Sequence, residues 1–200
     1  GLCYRFLVVS PLALLGVIAL TSGLYTVPAE SEGVVLRLGR FSKTVPPGLH
    51  VKIPFGVDRV QVVPVQRQLK QEFGFATPGA TNRYQSSYGA EERESEKSMV
   101  TGDLNAALVE WVVQYRIDEP DHYLFRVREA DLTLRDASES VMRAVVGDRT
   151  VDEVITIGRQ EIEIEALAKL QELVASYEMG IRIDQVQLKD VNPPERVQAS

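Results

Sequence analysis

Val109-Glu110-Trp111-Val112-Val113-Gln114-Tyr115-Arg116-Ile117 is the stretch on which the fold turns. Val109, Trp111, Val113, Tyr115 and Ile117 recur at a period of two, with Glu110, Gln114 and Arg116 between them. Successive strand side chains point to opposite faces, so this pattern predicts a strand with one face on a core. The lone tryptophan reads as core rather than as a ligand platform.

Outward from this strand toward the C-terminus, Pro120 opens a helical turn carrying Tyr123, Leu124 and Phe125. Leu134, Ala137, Val141 and Val145 fall three and four residues apart, predicting a helix over Asp131–Val146 that Gly147 closes. Thr150, with Glu153 three residues on, reads as a capping box. It starts a long helix reaching Glu178, with Ile155, Ile162, Ala166, Leu170, Leu173 and Tyr177 on one face and Gly180 past its end. A last strand turns Ile181 and Ile183 inward, then Val186 and Leu188, one residue out of phase. Such a slip predicts a β-bulge around Asp184 or Gln185. Pro193-Pro194-Glu195 reads as the start of another helix.

Toward the N-terminus, Ala76–Ser98 contains no Leu, Ile, Val or Phe and is rich in Ser, Glu and Gly. It cannot bury apolar surface of its own, so it reads as a solvated loop, with disorder left open. Before it, Val34, Leu36 and Leu38 alternate with Val35 and Arg37 in a strand ending at Gly39. Val45-Pro46-Pro47-Gly48 reads as a turn. Leu49, Val51 and Ile53 then alternate with His50 and Lys52, predicting a second strand with His50 facing outward. Pro54 and Gly56 break it, and a β-rich run follows from Val57 to Phe75. Together these predict an antiparallel meander close to a membrane.

The membrane enters through Phe6–Val27, 22 residues without Asp, Glu, Lys or Arg, twelve of them Leu, Val, Ile or Phe. As a helix this is about 33 Å long, enough for a hydrocarbon core of about 30 Å. Tyr4 and Tyr25 flank it at the depth where aromatic rings favour the interface. A cleaved signal peptide is the competing reading, but the apolar core is longer than such segments need and no A-x-A site follows. Arg5 before the span, and Arg37, Arg40 and Lys43 after it, leave sidedness open by charge alone. The start at Gly1, and an end at Ser200 just as a helix begins, lead to the expectation of a longer chain.

Nothing in the sequence points to catalysis. His50 and His122 are isolated, Ser138 and Ser140 lie on the predicted helix, and no G-x-S-x-G elbow is present. Two separated histidines and Cys3, the sole cysteine, make a poor zinc set, and no glycine is followed by the Lys-Ser/Thr of a phosphate loop. Glu161, Glu163 and Glu165 read as a solvated helix face. A net charge of −6 without a basic run argues against nucleic acid. No catalytic, cofactor-binding or metal-ligating residue is assigned, and no cofactor is expected.

Several separate motifs carry a resemblance. Glu32-Gly33-Val34-Val35 with Leu36-Arg37-Leu38-Gly39-Arg40-Phe41, and Pro47-Gly48-Leu49-His50 before Pro54-Phe55, open it. Thr101-Gly102-Asp103-Leu104-Asn105, the 110–117 strand, Tyr123-Leu124-Phe125 and Val145-Val146-Gly147-Asp148-Arg149-Thr150 continue it. Gly158-Arg159-Gln160, Tyr177-Glu178-Met179-Gly180-Ile181 and Asp190-Val191-Asn192-Pro193-Pro194 complete it. In this order they resemble the SPFH/Band 7 group (stomatins, prohibitins, flotillins), most closely its HflK branch of bacterial protease modulators. The resemblance implies an α+β fold, in which an N-terminal transmembrane helix is followed by antiparallel strands packed with helices. A coiled-coil helix is expected beyond Ser200. The implied division is an anchor over 1–28, an SPFH domain over 29–192 with the polar loop at 76–98, and a helix start over 193–200. It further implies a non-enzymatic scaffold in the bacterial inner membrane, single-pass, with its domain on the periplasmic side. Its partners would be an HflC-like chain, an FtsH-like AAA protease and the lipid bilayer, in a hetero-oligomeric ring, with no nucleic acid. The alternatives are a stomatin-like organiser of lipids or channels and, from another class, a membrane-anchored serine protease.

Overall fold

The structure, a computed structural model, describes residues 22–75, 90–156 and 158–193. It divides into two compact units, residues 1–67 and 68–200.

The first unit is all strand. β1 (Leu24–Val27) pairs antiparallel with β4 (Gly48–Val51), while β2 (Glu32–Arg37) lies between β3 (Arg40–Val45) and β5 (Asp58–Val63). Its core is a small valine cluster of Val27, Val35 and Val45, with Tyr25 and Val60 packed against it. Gly33 is required there, because a Cβ at this position would stand 2.9 Å from methyls of both Val27 and Val45.

Three expectations change in this unit. Leu24–Val27, expected as the last residues of the apolar span, form β1, and Val27 is buried in the core. The rest of that span, residues 6–21, lies outside the described residues. Among the described residues no helix is long and apolar enough to cross a membrane. The facing of β4 is also reversed. Leu49 and Val51 are exposed, whereas half-buried His50 turns inward to Tyr25, with ring centroids 5.7 Å apart. In β2 the buried pair is the adjacent Val34 and Val35, not the alternating set.

The second unit is built on β8 (Ala106–Ile117), the strand predicted first. Val109, Trp111, Val113, Tyr115 and Ile117 are all buried. β9 (Ile181–Asn192) pairs along one side of it, and β6 (Leu69–Phe73) and β7 (Ser98–Val100) share the other. Phe73 stands opposite Trp111 and Ser98 opposite Leu108. β6 and β7 are therefore two halves of one interrupted strand. The described part of the insertion, expected as loop, is α1 (Ala90–Lys97); residues 76–89 lie outside the described set.

α2 (Pro120–Phe125) and α3 (Ala130–Gly147) follow β8 as the sequence predicts. Thr150 and Glu153 form both halves of the capping box. The long helix predicted after them is broken into α4 (Val151–Ile155) and α5 (Arg159–Ser176). Val154-Ile155-Thr156-Ile157-Gly158 is a run of β-branched residues ending in glycine, which are weak helix formers. The chain closes there by an N–H from Gly158 to the Glu153 carbonyl at 2.8 Å. The buried face of α5 is Ile162, Ala166, Leu170 and Val174, in place of Leu173 and Tyr177.

The bulge appears where the phase slip put it: Gln114 pairs with Gln185 and Tyr115 with Ile183, leaving Asp184 extra. Arg116 Nε donates to its carboxylate at 2.7 Å, which holds the extra residue in place. A second bulge lies at Lys189, between Leu188 opposite Trp111 and Asp190 opposite Glu110.

Candidate membrane-facing surface

At one end of the first unit three chain segments converge. The Lys52 N–H donates to Gly23 O at 2.7 Å, at the residue leading back to the apolar span. Asp58, itself buried, gathers the next segment: its carboxylate accepts Arg37 Nε at 2.9 Å, Arg37 Nη2 at 3.2 Å and the Ile53 N–H at 3.0 Å. The Arg37 hydrogen bonds, then the Ile53 N–H, hold this carboxyl below its ordinary range. Leu38 N–H closes the set on Val57 O at 2.8 Å.

Two turns at this end carry apolar residues in the left-handed region. Leu38 (φ 49°) and Gly39 (φ 82°) make the two-residue turn between β2 and β3, and Phe55 (φ 64°) precedes Gly56 (φ 78°). A two-residue hairpin turn with both φ positive favours Asn-Gly or Asp-Gly. A bulky residue there costs about 1 kcal/mol or more. Leu38 is nonetheless 78% exposed and Phe55 69%. Leu24 and Val51 are register partners on the outer face of the β1–β4 pair, beside Leu49, and all three are exposed. Ile53 adds to the apolar surface. Residues 1–67 also hold seven Lys and Arg against three Asp and Glu. An exposed apolar end on a net basic unit, at the exit of an uncharged stretch, suits a bilayer with anionic headgroups.

Sequence reading missed these residues, although a signal was there: Leu-Gly and Phe-Gly stand where turn chemistry favours Asn-Gly.

The second unit holds polar networks instead. Glu96 on α1 accepts the Gly74 N–H at 2.7 Å and pairs with Arg135 on α3 at 2.5 Å. Arg135 also donates to Glu72 O at 3.1 Å and lies 4.6 Å over the Phe73 ring, which stacks on Trp111. Burial pushes the Glu96 carboxyl upward, against the Gly74 and Arg135 contacts that pull it down.

Two of the residues weighed for chemistry have partners within the fold. Ser138 accepts the Trp111 indole N–H at 3.0 Å, and His122 contacts Glu119 at 2.5 Å. The glutamates expected as a solvated face are engaged: Glu161 and Glu165 hold Arg149 at 3.3 and 2.7 Å, and Glu163 accepts the Leu188 N–H at 2.8 Å. Among the described residues no three His, Cys, Asp or Glu converge as a metal would need.

The SPFH domain/Band 7 family model matches residues 25–200, starting within β1 and running through both units. The chain belongs to that family. It is 36% identical over 184 residues to Protein HflK of Treponema pallidum (strain Nichols), covering 91% of this chain and 55% of that protein. Protein HflK of Borreliella burgdorferi is 32% identical over 192 residues, 96% of this chain and 60% of that one. The protein named Modulator of FtsH protease HflK in Escherichia coli K12 is 35% identical over 179 residues, 90% of this SPFH chain and 37% of its relative. The chain thus spans between about a third and three fifths of these curated relatives.

Proposed function

We propose that this chain is a non-catalytic membrane scaffold, an HflK-like subunit of a bacterial protease modulator. Its residues 6–23 would cross the inner membrane once, with the SPFH domain on the periplasmic side and a coiled-coil helix continuing after Pro194. With an HflC-like partner it would form a cage-like ring around an FtsH-like protease, limiting which membrane proteins reach it. The observation that carries the membrane part is the pair of strained apolar turns, Leu38 and Phe55, at the end of the unit where Lys52 binds Gly23 of the apolar stretch. Strain kept on exposed apolar side chains is difficult to explain in water and natural at a lipid interface. The relatives' printed names support the modulator part.

Three experiments test this. The full chain, isolated in mild detergent, should copurify with HflC-like and FtsH-like chains; recovery of neither sinks the modulator reading. For the membrane part, Cys3 is replaced by Ser and Phe55→Cys is labelled with a polarity-sensitive fluorophore in reconstituted liposomes. Blue-shifted emission quenched by shallow nitroxide lipids is expected, and water-like emission would refute it. An impermeant thiol reagent on cells with a permeabilised outer membrane reports sidedness through an exposed cysteine in the second unit. Labelling only after inner-membrane lysis would favour the stomatin-like organiser.

A further inference from the structure

The charges of the first unit are not spread evenly. Glu30 and Glu32 stand at or before the start of β2, about 17 Å of strand or more from Arg37. Arg37, Arg40, Lys43, Lys52 and Arg59 gather instead toward the end that carries the Leu38 and Phe55 turns.

Register places these cations on both faces of the β2–β3 hairpin. Arg37 pairs with Arg40 and Val35 with Lys43, so Arg37, Arg40 and Lys43 share a face. Asp58, opposite Arg37 on β5, is the one carboxylate of that face among the described residues. Its two guanidinium bonds both come from Arg37, and Lys43 lies near enough to add its field. Arg40 is exposed and has no carboxylate partner among the described residues, so the face is net positive. On the opposite face exposed Arg59 stands across from Leu36, which pairs with exposed Phe41.

The spacing behind the tip suits a bilayer surface. Arg40 lies two residues after Leu38, about 7 Å of chain, and Lys43 about 10 Å further. Apolar groups at an interface sit roughly 5–10 Å into the headgroup–acyl boundary, which brings Arg40 to the level of the phosphates. A guanidinium binds phosphate through paired N–H donors, and an ammonium binds it as a point charge. Asp58 makes the platform rigid, since it holds Arg37 beside one turn and the Ile53 N–H before the other.

We propose that Arg40 and Lys43, with Arg59 on the other face, bind the phosphates of anionic phospholipids, so that the first unit selects acidic lipid around itself. This rests on the membrane reading above and names the lipid class and the residues that recognise it.

The test uses the full chain with Cys3→Ser and Phe55→Cys, labelled at position 55 and reconstituted in phosphatidylcholine liposomes. A trace lipid with a nitroxide high on its acyl chain is added, as phosphatidylglycerol or as phosphatidylcholine. Each cation beside an anionic lipid contributes about fivefold, so phosphatidylglycerol should reach half-maximal quenching at a mole fraction at least tenfold lower. Arg40→Gln with Lys43→Gln, both exposed and expected to melt at the unchanged temperature, should cut that preference to about the fivefold of one cation. Equal quenching by the two lipids, with emission still blue-shifted, overturns the selection and leaves the membrane contact standing. An undiminished preference in the double variant overturns it too, because the selecting charge then lies elsewhere. Loss of the preference on adding millimolar inorganic phosphate would assign the cations to a soluble anion and overturn the lipid source. Water-like emission in every liposome would sink the membrane reading, and this one with it.

Discussion

Residues 1–67 and 68–200 solve opposite problems with the same antiparallel strands. The first unit has a core of small valines, a basic charge balance and much of its apolar surface outside. The second buries Trp111, Phe73, Tyr115 and Leu170, carries 15 Lys and Arg against 25 Asp and Glu, and ties α1 to α3 with a buried ion pair. A water-facing domain hides its large side chains and shows charge; a domain resting on lipid can leave large side chains outside. Their buried carboxylates differ in the same way. Asp58 is held ionised by Arg37, whereas burial works against the ionised form of Glu96.

The largest test of this contrast is Arg135→Ala. It leaves Glu96 buried without its partner, and the expected loss in urea unfolding is about 3–5 kcal/mol. Replacing both as Arg135→Met with Glu96→Leu should recover most of it. A single-variant loss below about 1 kcal/mol would show that the ion pair does not hold α1. In the valine core, Gly33→Ala should cost about 1–3 kcal/mol by overpacking against Val27 and Val45, read from amide exchange in β2. Leu38→Asn reverses the sign. Turn strain is relieved, so stability should rise by about 1 kcal/mol, while nitroxide quenching at position 55 falls. A destabilised L38N would break the claim that Leu38 is kept for contact rather than for folding.

The smallest effect is in acid. Asp58 has a folded pKa below its ordinary value, so its contribution is complete above about pH 4 and is lost as pH falls through the lower folded value. Glu96 has the opposite sign, and stability of its unit should rise as pH falls from its raised value toward the ordinary one. Amide exchange across an acid titration separates them. Asp58→Asn should flatten the acid loss in β2 and β5 without altering β8.

Period and phase were legible in the sequence where one face is buried. The alternation through Ile117, the spacing of Leu134 to Val145 and the Thr150 cap all appear as read. The slip after Ile183 located its bulge, because a bulge shifts every later side chain by one. The same signal, Leu188 followed by Val191, marked the second bulge and went unread. Failure concentrated in the first unit, where the apolar positions of β4 face outward and alternation points the wrong way. Glu161 is solvated as read, whereas Glu163 and Glu165 are half-buried and were misread for another reason. Their partners, Arg149 and the Leu188 amide, lie 12 or more residues away, beyond any local pattern. The Leu38 turn was legible only as an anomaly, a bulky residue where backbone chemistry favours Asn.

The interrupted strand has a consequence of its own. β8 grips both β6 and β7 in register, and the Gly74 N–H to Glu96 bond ties the two cut ends together. Whatever joins them therefore meets only the slow, logarithmic rise of loop-closure entropy as it lengthens. That junction is a splice point where chain can be added or trimmed without disturbing the ladder. An affinity tag spliced into 76–89 should be carried at little cost to folding.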